Sequence, residues 1–161
     1  MIPYEEELKN RRDYVEESIK ETWNARTDWY NEHSDFEPFA ETSFFGVIWD
    51  MSTKILPHLE VQVVIDDNDN CYVSSGSTGF VSFMQQPTGM KLPIKCWIHT
   101  HPFGQAYFSG TDWNTINTWE PVMNHAIVLG DNESMEWVKG LEHTMFYKKV
   151  DIPNWVRGEE E

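Results

Sequence analysis

Apolar residues recur at helical spacing at the start of the chain and at strand-like spacing through most of the rest. Leu8, Val15, Ile19, Trp23 and Tyr30 fall on one helical face at steps of four and seven, and Glu5, Glu6 and Glu7 crowd the first turn, where the helix dipole favours acids. This predicts a helix over 4–32 that packs on the domain's own sheet and is broken by His33-Ser34-Asp35-Phe36-Glu37-Pro38. Short apolar or alternating runs then predict strands at Phe44–Met51, Glu60–Ile65, Cys71–Ser74, Gly79–Met84 and Ile94–His101. The acidic run from Asp66 to Asn70 reads as a hairpin tip; as a calcium loop it lacks the required glycine and terminal glutamate. Loop signals at Ser74–Gly79 and Gln85–Gly89 precede the fifth strand and are placed to cover a site at its end. After Asp112 a short helix to Trp119 is predicted, stopped by Pro121, followed by strands at His125–Leu129, Met135–Val138 and Thr144–Val150. A first helix, mixed strands, a second helix and closing strands predict an α+β or three-layer α/β/α sandwich. One domain spans 1–156, and 157–161 form an acidic tail.

A length of 161 residues suits a single domain, and eight Trp, nine Phe and six Tyr predict an aromatic-rich core. The formal charge of −15, from 12 basic and 27 acidic residues, argues against a nucleic-acid phosphate partner or an anionic membrane surface. Cys71 and Cys96 are too few for a disulfide framework, and Cys96 reads as a small buried hydrophobe. The first residues lack a basic segment leading into an apolar run, and no stretch reaches membrane-span length, so a cytoplasmic setting is expected.

The candidate chemistry lies in His99-Thr100-His101, followed by Ser109 and Asp112, a pattern H-x-H-x7-S-x2-D. Two residues apart on a strand, the imidazoles of His99 and His101 leave the same face and can converge on one ion. Asp112 can supply a third ligand. Two imidazoles and one carboxylate leave a fourth tetrahedral position for water or substrate, as catalytic zinc sites do. His33, His58, His125 and His143 have no ligand at metal spacing and read as surface or partly buried residues.

Trp97-Ile98-His99-Thr100-His101-Pro102, with Phe108-Ser109-Gly110-Thr111-Asp112-Trp113-Asn114-Thr115, resembles the motif of the JAMM/MPN+ zinc metalloproteases. The likeness is dense over residues 94–130. It implies the MPN fold, a cytidine-deaminase-like mixed β-sheet flanked by helices, and a Zn2+ ion held by His99, His101 and Asp112. It also implies hydrolysis by zinc-activated water with a glutamate as general base. The glutamate pointed to is Glu41, which leads into an apolar run 58 residues before His99. The family usually has a small residue three positions after this glutamate, whereas the chain has Phe44 there and Gly46 two positions later. Glu37 and Glu60 therefore remain candidates. Ser109 has two readings: oxyanion donor, as the resemblance implies, or simply the N-cap of the following helix, since Ser-x-x-Asp is itself a capping signature. Phe103, Tyr107 and Phe108 are placed to line the cleft, and Trp113 to wall it.

The implied activity is cleavage after the C-terminal tail of ubiquitin or a ubiquitin-like protein, with the tail added as a strand beside the metal strand. Only 49 residues follow Asp112, too few for the long second insertion of chain-selective deubiquitinases. A compact prokaryotic or viral enzyme fits, acting in the host cytoplasm if viral. Alternatives are a phage tail-associated or cell-wall peptide hydrolase of the same fold, and a non-catalytic MPN scaffold. A homodimer is compatible with all three.

Overall fold

The computed structural model describes residues 3–25, 43–76, 89–102 and 104–148. Within them the first helix, α1 (Pro3–Asn24), turns out of helix at Ala25, so the remainder of the helix expected to 32 lies outside the described residues. Val15, Ile19 and Trp23 are fully buried, as their spacing requires, and the indole N–H of Trp23 donates to the Asp69 carbonyl at 2.6 Å.

The stretch expected as a strand at Phe44–Met51 is instead a helix, α2 (Phe44–Ile55). Two local facts decide this. The Ser43 hydroxyl accepts from the Gly46 N–H at 2.8 Å and caps the helix, and the buried residues Phe44, Phe45, Ile48 and Ser52 follow helical spacing rather than alternation. The apolar, partly β-branched composition of the run was misleading because tertiary burial outweighs its strand propensity.

Among the described residues six strands form one mixed sheet: β1 (Glu60–Ile65), β2 (Cys71–Gly76), β3 (Cys96–Thr100), β4 (His125–Gly130), β5 (Glu133–Val138) and β6 (Met145–Lys148). Their order is β2-β1-β3-β4-β5-β6, with β3 and β4 parallel and every other pair antiparallel. The strand expected at Gly79–Met84 and residues 149–150 of the last one lie outside the described residues. At the β1–β2 hairpin the Asp66 carboxylate accepts from the Asn68, Asn70 and Lys91 N–H groups and from the Asn70 side chain. The acidic run is thus a self-satisfied turn.

Parallel strands need a crossover, and between β3 and β4 it is α3 (Gly110–Trp119), continued by a 3-10 turn at Glu120–Val122 that contains Pro121. Strand alternation then sorts the core into two layers. Val61, Val63, Ile65, Cys96, Ile98, Ile127 and Leu129 face α1 and α2. Val64, Trp97, Ala126, Val128 and Trp137 share the other layer with Ile116 of α3. A mixed sheet sandwiched by helices is therefore the architecture.

Candidate metal centre

On β3 the alternation that sends Cys96 and Ile98 to one face sends Trp97 and His99 to the other, and His101 continues that side past the strand end. The chain then runs through a loop to α3. Its backbone is tied to β4 by the His101 N–H donating to the Leu129 carbonyl and the Asp131 N–H to that of Gly104, both at 2.8 Å. Gly130 makes this approach feasible, because a Cβ there would stand 2.7 Å from the Ala106 N and the Gly104 O. The Glu133 carboxylate accepts from the Ala106 N–H at 2.8 Å and fastens the loop from β5.

Asp112 is placed by the start of α3. Ser109 is the N-cap: its hydroxyl accepts from the Asp112 N–H at 3.1 Å, and Asp112 Oδ2 accepts from the Ser109 N–H at 2.9 Å, a complete capping box. The motif that starts the helix therefore also aims the third ligand. Oδ2 stands 3.1 Å from His99 Nε2 and 3.3 Å from His101 Nε2. Burial pushes the Asp112 carboxyl up, but contacts with His101, His99 and the Ser109 N–H outweigh it and hold the group well below the usual carboxylate range. Burial likewise pushes His101 down, and the Asp112 and Glu60 carboxylates with the Gln105 carbonyl reverse this, leaving it raised.

The three side chains fit a metal ion. Their donor atoms lie within 4.8 Å of one another. Donors about 2.0–2.2 Å from a tetrahedral ion stand about 3.3–3.5 Å apart, close to the carboxylate–imidazole separations here. His101 Nδ1 lies 3.1 Å from the Gln105 carbonyl, the outer contact that fixes a ligating imidazole with Nε2 turned inward. His99 is 1% exposed, yet neither ring nitrogen has a hydrogen-bond partner among the described residues; the nearby Asp112 oxygen is not aligned as an acceptor. A buried imidazole with unused capacity, facing a carboxylate and a second imidazole, is what a cation would satisfy.

Glu60 opens β1, and the register that pairs Gln62 with His99 brings Glu60 beside His101, with Oε1 3.5 Å from His101 Nε2. It adjoins the cluster without belonging to it. Of the other candidates, Glu37 and Glu41 lie outside the described residues, as does Phe103. The apolar run that follows Glu41 is the helix α2 and not a strand, and the carboxylate that begins a strand beside β3 is Glu60. Its position at the head of the alternating run Glu60-Gln62-Val64 was the available signal. Sequence reasoning also missed the Gln105 carbonyl, which no side-chain pattern reveals.

Tyr107 is 49% exposed, with its ring 5.0 Å from that of His101, so it forms the lip of the site. Phe108 is buried against Trp113, and both serve as its wall. The metal strand has no open edge: β1 pairs on one side and β4 on the other. A substrate tail cannot add beside it as expected. His58 and His143 are exposed, His125 pairs with Glu136, and His33 lies outside the described residues.

Among the described residues no helix is long and apolar enough to cross a membrane. Comparisons with protein-family models, curated proteins and solved structures return no match to this chain, so the likeness to the JAMM/MPN+ metalloproteases rests on its own residues and their placement.

Proposed function

We propose that the chain is a zinc-dependent hydrolase of peptide or isopeptide bonds with a JAMM-type site in an MPN-like fold. One observation carries the reading: His99, His101 and Asp112 converge in a buried cluster where the His99 ring nitrogens have no hydrogen-bond partner among the described residues. Zinc held there would supply Lewis-acid polarisation and an activated water, the two requirements for amide hydrolysis near neutral pH.

The rest falls to the protein's own groups. Glu60, beside His101, is the proposed proton acceptor for the attacking water and donor to the leaving amine. Ser109 uses an oxygen lone pair for its capping bond, so its O–H remains able to donate to the oxyanion of the tetrahedral intermediate. The Gln105 carbonyl keeps His101 oriented throughout. The substrate is proposed to be the extended tail of a ubiquitin-like protein lying across the end of the sheet. No described residue pairs with the Tyr107 backbone, which leaves that segment to bind an extended chain.

A panel of fusions differing only at the two residues before the scissile bond tests this. Cleavage after Gly-Gly, lost with chelator and restored by zinc, is the expected result. Equal cleavage after Gly-Gly and Ala-Ala, or activity only on cell-wall peptides, would reject the isopeptidase reading in favour of a peptide hydrolase. Zinc binding without hydrolysis of either class would indicate a scaffold.

A further inference from the structure

The two histidines of the cluster are held by different means. His101 has an acceptor for its outer nitrogen in the Gln105 carbonyl at 3.1 Å. His99 has no such acceptor, although it is the more deeply buried of the two. Ligating imidazoles ordinarily depend on that outer bond for the orientation of the ring. Something else must fix the His99 plane.

Trp97 lies two residues earlier on the same face of β3. Its ring stacks on that of His99 with centroids 4.4 Å apart and an interplanar angle of 12°. Among the described residues no other ring is parallel to it: the His101 ring meets it at 66° and Phe108 at 43° from a more distant centroid, 6.3 Å away. The indole is itself pinned. Its N–H donates to Gln62 Oε1 at 3.2 Å, and Gln62 is the cross-strand partner of His99. The three side chains thus close a small circuit across β1 and β3: register places Gln62, Gln62 sets the indole, and the indole sets the imidazole.

We propose that Trp97, held by Gln62, is the positioning residue for His99, replacing the missing outer hydrogen bond with an aromatic stack. The inference rests on the metal reading of the site. Stacking fixes the tilt of the ring while leaving its nitrogens free of competing partners, so Nε2 stays on the side of Asp112 Oδ2, 3.1 Å away. Removing the stack lets the ring rotate about its own side-chain bonds and weakens the convergence of ligands.

The test compares zinc affinity by chelator competition, and the visible spectrum of the cobalt-loaded protein, for the native chain, Trp97→Phe, Trp97→Leu, Gln62→Leu and Ile116→Ala. Ile116 is buried in the same layer but makes no ring contact with His99, so it controls for lost packing. Trp97→Leu should weaken zinc binding by about 10–100-fold and alter the cobalt spectrum, the range seen when outer partners of metal ligands are lost. Trp97→Phe should keep most of the affinity and Gln62→Leu should fall between them. Ile116→Ala should lose thermal stability with native affinity and spectrum. Native affinity and spectrum in Trp97→Leu would overturn the proposal while leaving the metal site standing. If that variant does not fold, native behaviour of Gln62→Leu would overturn it equally. A native chain that binds neither zinc nor cobalt would overturn the metal reading, and this proposal with it.

Discussion

Two buried groupings of histidine and carboxylate lie on opposite faces of the sheet, and they are built to opposite ends. On the α1/α2 side His125 Nε2 meets Glu136 Oε2 at 2.7 Å, and the Tyr147 hydroxyl donates to the other oxygen at 3.3 Å. Each Glu136 oxygen has a partner. Burial alone would push His125 down, but its contacts with Cys96 and Glu136 raise it to about 10. On the α3 side one Asp112 oxygen faces two imidazoles, and neither His99 ring nitrogen has a hydrogen-bond partner among the described residues. The residue types are the same. What separates the two is alignment on one face and convergence on the other, where donor capacity is left that could hold an ion.

The comparison is broken most severely by removing a convergent ligand. Asp112→Ala should reduce hydrolysis by about a thousandfold or more, since several kcal/mol of metal stabilisation is lost, whereas Glu136→Gln should leave turnover within a few-fold of native. Glu60→Gln should keep zinc and lower turnover by about 100-fold or more, the scale of a missing general base. Should Glu60→Gln stay active while Glu41→Gln or Glu37→Gln is dead, the base is reassigned and the metal site survives. For Ser109→Ala we expect a fall of about 100-fold in kcat from the lost oxyanion donor, with about 1 kcal/mol of stability from the lost cap. A change in thermal midpoint with unchanged kcat would reduce Ser109 to its capping role.

The smallest effect sharpens the comparison from the paired side. With a folded-state pKa of about 10, above its ordinary value of about 6.5, His125 contributes stability that is complete below the lower value and lost as pH rises through the upper one. Stability should therefore decline between these limits in the native chain. Glu136→Gln should flatten the decline, as followed by urea denaturation at pH 6, 8 and 10.

Legibility in the sequence followed how local each feature is. The spacing of His99 and His101 and the Ser109–Asp112 pair carry their geometry in a strand repeat and a capping box, so both were readable from neighbouring residues. The helix α2 was misread because Phe44-Phe45-Gly46-Val47-Ile48 is as apolar as a buried strand, and only the Ser43 cap and its packing decide otherwise. Glu60 could not be singled out from Glu41 and Glu37 in the sequence, because its nearness to His101 exists only through β1–β3 register, a pairing between residues far apart in the chain. The closed edges of β3 were invisible for the same reason.

His99, His101 and Asp112 are expected to hold a single metal ion between them. Metal analysis of the purified native chain beside a His101→Ala, Asp112→Ala double variant, both exposed to zinc and then dialysed, tests it directly. The expected result is close to one zinc per native chain and nearly none in the variant, with His125→Gln retaining the native content. Equal zinc in the native and double-variant proteins, or none in either, would contradict it.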